Sequence, residues 1–313
     1  MIIKDSKRGA VLSESAMLAS VRISMFNPDK KDWNASRELA RDKKANDRSV
    51  KVTKRMFDEC FTDTRAQASR IRNILYLYTF ELPKNGGGQQ KGPRVLPTRL
   101  AETFLDKVTS AIDSFHHHAD DECAKLDKFA KKEQHRLGEL YNADDYPTPE
   151  QVRTRFHSEV FVDGLPTIES IDAGRHSDAM QAKAHDREAR VVGEVNKQLL
   201  IRMLEHVSHL ANTLGKEKTK IFPSLFDNVR ELVTDIIPAS NINNDKEIAD
   251  LCKELKKTLR YEAGQVKASP NAKETIQKVA HKTAKKVAKS AKSAGVTKAD
   301  LSKVQIAKAS AYF

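Results

Sequence analysis

Several residue types that mark familiar protein classes are scarce in this chain. Its 313 residues include three cysteines, Cys60, Cys123 and Cys252. Odd in number and far apart, they argue against a disulfide framework or a cysteine zinc site and point to a reducing compartment. With 12 glycines and 10 prolines to punctuate the chain, long uninterrupted elements are expected. Aromatic residues make up 6%, and Trp33 is the one tryptophan. A lone aromatic usually serves burial, so Trp33 is expected to be a packing anchor and not a stacking surface for a ligand. No stretch approaches the roughly 18 apolar residues of a membrane span. Near the start, Ile2, Ile3, Val11 and Leu12 are separated by Lys4, Asp5, Lys7 and Arg8, which is not a signal-peptide pattern. A cytoplasmic location follows as the expectation.

Catalytic and cofactor motifs are also missing. The glycine-rich stretch 84–93 invites comparison with a phosphate-binding loop, and Gly87 and Gly92 have the right separation. Pro93 and Arg94, however, stand where a lysine and a hydroxyl residue are needed, so the phosphate and magnesium contacts are absent. In His116-His117-His118-Ala119-Asp120-Asp121-Glu122-Cys123, His116 with Asp120 and His117 with Asp121 share helix faces and could ligate one ion. Consecutive histidines, however, point about 100° apart around a helix, and no further ligands stand at suitable spacing. Glu205, His206 and His209 lack the zinc-protease order. No catalytic residue, metal ligand or cofactor is therefore assigned, and a non-enzymatic protein is expected.

What is abundant is positive charge, and it is unevenly placed. The formal net charge is +12, while residues 267–313 hold 11 lysines against Glu274 and Asp300, which is 11 − 2 = +9 and leaves +3 for the rest. Lys278, Lys282, Lys285, Lys289 and Lys292 follow one another at intervals of four, three, four and three, which sets them along one helix face, with Lys286 beside them. Ala272, Ile276, Val279, Ala280, Val287 and Ala291 make up the other, mostly small face. Such a helix needs something to lean on and otherwise frays. Gly295 should end it, and Thr297 with Asp300 resembles a capping box.

Five neutralised phosphates would lower the affinity for duplex DNA by on the order of four to five log units per log unit of salt. Lysine without arginine suits phosphate attraction better than base reading, so such binding would ignore sequence. A solvated lysine face and an acidic protein partner are the competing readings. An interfacial membrane role is disfavoured, because the small face lacks Trp, Phe and Leu.

Hydrophobic spacing organises the remainder. Leu100, Phe104, Val108, Ile112, Phe115, Ala119, Cys123, Leu126, Phe129, Leu137 and Leu140 predict one helix over 97–141. Val192, Val195, Leu199, Met203, Val207, Leu210 and Leu214 predict a second over 175–214 as its antiparallel mate. Further helices are expected at 33–47, 49–80, 223–237 and 245–261. Alternation predicts strands at 19–25 and 156–162, with 94–96 as a third piece of a small sheet. The resulting expectation is a mainly α protein, an elongated antiparallel long-helix bundle with a small β-sheet near one end and a basic helical C-terminal extension. It divides into an N-terminal arm (1–17), the bundle with its sheet (18–262), a linker (263–270) and a lysine-rich helical tail (271–313).

The order Val21-Arg22-Ile23-Ser24, Trp33, Leu96-Pro97 opening a long helix, and Tyr146-Pro147-Thr148-Pro149 leading into Phe156 resembles a phage-associated family of unknown function. The likeness covers roughly residues 18–215 and leaves out the lysine tail. Members are often encoded near MoxR-type AAA+ ATPases, so the resemblance implies an adaptor to such an ATPase and carries over no catalytic residue. Two functions are thus expected to compete. One is sequence-independent nucleic-acid binding through Lys278, Lys282, Lys285, Lys286, Lys289 and Lys292, with the bundle used for assembly with itself or a partner. The other is an adaptor meeting an acidic protein. A viral origin would place either in the cytoplasm of a host cell.

Overall fold

The computed structural model describes residues 12, 14–58, 60–83, 92–165, 177–215, 223–259 and 263–302. Most of the glycine-rich stretch, the first 11 residues and the last 11 lie outside these. The chain is mainly helical with two small sheets. Strands β1 (Ala16–Ser24), β4 (Arg94–Pro97) and β5 (His157–Gly164) form a sheet in the order β4–β1–β5. Alternation had picked out 19–25 and 156–162, and 94–96 was expected as the third piece of the sheet. β1 and β4 run antiparallel with Ala16 opposite Pro97 and Ala19 opposite Arg94. A bridge between Phe80 and Val95, closed by two 2.8 Å backbone hydrogen bonds, extends the edge.

Two compact units are present, one of Met1–Ser20, Tyr78–Thr103 and Val162–Phe313, the other of Val21–Leu77 and Phe104–Phe161. The first unit is built on the helix Ser177–Leu214, whose Val195, Leu199, Met203, Val207 and Leu210 are fully buried. Its antiparallel partner is the basic helix, Pro270–Ser293, a role that the hydrophobic spacing had assigned to the central helix. The direction follows from two glycines. A Cβ on Gly215 would stand 2.8 Å from Gln277 Nε2, and one on Gly295 would stand 3.6 Å from Lys197 Nζ. The end of Ser177–Leu214 therefore lies beside the first turns of the basic helix, and the end of the basic helix lies beside the middle of Ser177–Leu214, so the two run antiparallel. Residues 263–270, read as a linker, include a short helix, Ala263–Ala268.

Helices Pro223–Glu231 and Ile237–Ser240 are joined through a π-helical turn, Leu232–Ile236. Pro238 lacks the N–H that Thr234 O would receive in a regular helix, and the wider turn absorbs that loss. Helix Lys246–Thr258 starts on Asp245, whose side chain accepts from the Glu247 and Ile248 amides, and it packs on the basic helix.

The second unit holds a two-stranded sheet that hydrophobic spacing had read as helix and turn. β2 (Asp29–Asp32) and β3 (Val52–Arg55) pair antiparallel, with Lys30 opposite Lys54. Like charges directly opposite repel, but Asp145 lies between them, 2.6 Å from Lys30 Nζ and in contact with Lys54 Nζ. Lys54 also donates to Leu140 O at 3.0 Å, so a nearly buried ammonium is fully engaged.

The predicted helix 49–80 shrinks to Thr62–Tyr78. Met56, Cys60 and Phe61 are buried as their spacing suggests, but in irregular chain, where Phe61 has φ 59°. Two buried carboxylates hold this stretch. Glu122 accepts from Thr64 N at 3.1 Å and Thr64 Oγ1 at 2.5 Å, satisfying a first-turn amide where the helix dipole favours an anion. Glu133 accepts from Asp58 N at 3.1 Å and from Arg136 Nε. Phe26, Phe57, Phe61, Phe115, Phe156 and Tyr146 stack edge-on or tilted around them.

The central helix is also two pieces, Ala101–Cys123 and Leu126–Leu137. The break comes where Lys125 N turns back to Glu122 O, three residues earlier.

Burial pushes the Asp145 carboxyl up, but the hydrogen bonds and charges of Lys30 and Lys54 outweigh this and hold it below its ordinary value of 3.8. A depressed carboxyl stabilises the fold above its unfolded value and loses that contribution as pH falls through the folded one. Asp145→Asn should destabilise the protein at pH 7, by about 1.5–3 kcal/mol for the loss of hydrogen bonds to a charged group. In urea titrations at a series of pH values, wild type and variant should converge as the pH falls below about 4.

Candidate nucleic-acid interface

The basic helix is bounded by its own sequence. The Ser269 side chain accepts from Ala272 N at 3.3 Å, and Pro270 occupies the first turn. At the other end Gly295 takes φ 81°, Gly295 N bonds to Lys292 O, and Val296 N bonds to Ala291 O. This is a Schellman closure, with Val296 buried as its apolar contact. Thr297 and Asp300 then form the expected reciprocal cap, at 2.9 and 3.3 Å.

Ile276, Ala280, Thr283, Ala284, Val287, Ala288 and Ala291 are buried, while Val279, expected inward, is 38% exposed. The small side chains let the backbone approach its partners closely, and Ile276 and Val287 each add about 1.5–3 kcal/mol of burial. Ser290 donates to Glu247 of the neighbouring helix. The helix is thus seated along its length, and its opposite face is left to solvent.

That face carries all six lysines singled out in the sequence. Lys278, Lys282, Lys285, Lys286, Lys289 and Lys292 are exposed. From Lys278 to Lys292 the stripe spans roughly 21 Å at the helical rise. Lys278 pairs with Glu274 at 2.6 Å and Lys286 with Glu254 at 2.5 Å. Among the described residues no ion pair engages Lys282, Lys285 or Lys289. The adjoining helix adds the exposed Lys253, Lys256 and Lys257, of which Lys253 pairs with Asp250 at 3.3 Å.

The histidine–carboxylate stretch is spread out by the fold. His116 shares a 2.9 Å hydrogen bond with Ser158, His117 lies 3.4 Å from Asp121, and Asp120 accepts from Arg153 at 2.6 Å. Among the described residues no three His, Cys, Asp or Glu side chains gather as metal donors. In the other cluster, burial lowers the His206 pKa and the charges of Arg202 and His209 add to this, while burial raises that of Glu205 against the pull of Arg202.

Arg202 itself fastens the sheet edge. Its guanidinium lies 4.2 Å from the Phe80 ring centroid and donates to Thr79 O at 2.5 Å. Burial, with the charge of Arg94, brings its pKa down to about 10. The three thiols are free and buried, and burial raises Cys60 to about 12 and Cys123 to about 11. Both stay protonated near neutral pH and are poor nucleophiles. A depression of about 350 Å³ in the second unit is lined by Phe26, Pro147, Gln151, Thr154 and Arg155.

Trp33 departs from its expected role. It is 60% exposed, with Lys31 Nζ 3.3 Å from its ring centroid. The signal was local. Asp32 caps the helix Trp33–Asp42 by accepting from Ala35 N at 3.0 Å; Ser36 and Ala40 are buried on that side of the helix, while Trp33, at its first position, is left exposed at the end of the face.

No described helix is long and apolar enough to cross a membrane. Comparison with protein-family models, curated proteins and solved structures finds no match.

Counting from the two glycine contacts sets Ser208 level with Ala284. Ser208 is fully buried, and among the described residues its hydroxyl has no hydrogen-bond partner. Ala284→Leu should overpack the seam and destabilise by about 1–3 kcal/mol. Ser208→Ala should be neutral or stabilising by up to about 1 kcal/mol, because it removes an unsatisfied group. Urea unfolding of both variants checks this, and a freely fraying basic helix would tolerate the leucine.

Proposed function

We propose that this protein is a non-enzymatic nucleic-acid-binding protein that engages phosphates without sequence preference through the lysine face of its basic helix, while its helical body serves assembly. The observation that supports this reading is the exposed stripe of Lys278, Lys282, Lys285, Lys286, Lys289 and Lys292 on a helix whose other face is buried. Because the seat of the helix is fixed, the lysines are presented together, and little backbone ordering remains to be opposed on binding. Flexible point charges attract phosphate of any sequence.

A second reading keeps the same face and changes the partner. Lys278 and Lys286 already hold carboxylates within the chain. An acidic protein surface could use the same groups, in the adaptor role implied by the resemblance to a phage-associated family often encoded near MoxR-type AAA+ ATPases.

Random-sequence duplex DNA, titrated by fluorescence anisotropy at several salt concentrations, separates the two. The slope of log affinity against log salt should be on the order of four to five for the wild type. The triple variant Lys282→Gln, Lys285→Gln, Lys289→Gln should lower it by nearly three, with no change in sequence preference. Undiminished binding by the variant removes the basic helix from the interface. No DNA binding by the wild type at low salt, alongside a stable complex with an acidic protein, favours the second reading.

A further inference from the structure

The second unit carries a charged aromatic edge that the basic helix does not account for. Trp33, Arg37 and Arg41 stand at intervals of four on the helix Trp33–Asp42, so they share an arc of about 80° along one edge. Arg37 and Arg41 sit roughly 6 and 12 Å along the axis from Trp33. Both are exposed, Trp33 is 60% exposed, and Lys31 places its ammonium over the indole. Among the described residues none of Lys31, Arg37 and Arg41 has an ion pair with a carboxylate. Glu38 lies about 60° and Asp42 about 100° round from Arg41, so the two acids border the arginine end of this edge without an ion pair to it among the described residues.

An indole that is 60% exposed, with Lys31 over one ring face and Arg37 and Arg41 along its edge, matches a ligand that has both a flat π face and closely spaced anions. Single-stranded nucleic acid has both. Its bases stack on aromatic side chains at about 1–3 kcal/mol per base while Lys and Arg track the backbone. A duplex hides its base faces inside the stack. An acidic peptide supplies the anions but has no flat group to cover the indole.

We propose that Trp33, with Lys31, Arg37 and Arg41, forms a stacking platform for an unpaired base of single-stranded nucleic acid. The platform does not rest on the lysine face of the basic helix. It predicts a base-dependent contact, where that face predicts phosphate attraction alone.

Trp33 is the only tryptophan, so emission from the full-length chain reports on this platform alone. At low salt, oligothymidylate of about 20 nucleotides should quench the emission by about half at saturation. An abasic deoxyribose-phosphate strand of the same length and polyglutamate should each quench less than about a tenth as much. The double variant Arg37→Ala, Arg41→Ala should raise the Kd for quenching about tenfold or more, with unchanged far-UV circular dichroism. The Lys282→Gln, Lys285→Gln, Lys289→Gln variant should keep the quenching, so failure of the basic-helix reading leaves this one standing. Absence of quenching by saturating oligothymidylate overturns the proposal. Equal quenching by the abasic strand or by polyglutamate overturns it as well, in favour of simple anion attraction or an acidic protein.

Discussion

The antiparallel seam between Ser177–Leu214 and Pro270–Ser293 is the constraint on which the first unit depends. Large residues such as Leu199, Met203 and Val207 are buried on one helix, and mostly small ones, Ala280, Ala284, Ala288 and Ala291, on the other. Alanine contributes little area, so the seam is held by close approach and by the length over which it runs more than by any single side chain. That choice has an electrostatic consequence. A helix this rich in lysine repels itself, and packing one whole face leaves the cations only one direction in which to point. The solvated stripe is a by-product of how the seam is built, whichever partner it meets.

In the second unit the equivalent constraint is polar. β2 and β3 are short, and their residues offer almost no apolar alternation. They stay paired because Asp145, far along the chain, neutralises Lys30 and Lys54 together. Glu122 and Glu133 act similarly on Thr64 and Asp58, supplying acceptors to amides that no helix or sheet satisfies. A buried carboxylate is costly alone, and here each has at least two donors.

These two kinds of constraint explain what could be read in advance. The β1, β4 and β5 segments were legible because alternation and proline act within a few residues. The Gly295 helix end and the Thr297 cap were legible for the same reason, since capping is local chemistry. For the 49–61 region, three buried apolar residues in irregular chain imitated a helical period, and the carboxylates that fix them come from 58–75 residues away. The break at Ala124-Lys125 has no glycine or proline to announce it. Helix partnership failed for another reason: periodicity tells which face is buried but not against what. Among the candidate site residues, the six lysines were readable because exposure of charge is the default. Trp33 was misread because its default is burial, whereas it sits at the first position of its helix, exposed at the end of the face that buries Ser36 and Ala40.

The two basic surfaces differ in kind, and the difference is chemical before it is functional. The stripe on Pro270–Ser293 uses lysine only, a compact, well-hydrated charge on a flexible stem. On the proposed function it would follow a phosphate backbone of any geometry without distinguishing paired from unpaired bases. Arg37 and Arg41 are planar, less hydrated, and aligned with the exposed indole of Trp33. Such a set gains contact area only when a second flat group lies against it. Salt would therefore weaken the first surface steeply and the second less, because stacking releases no counterions.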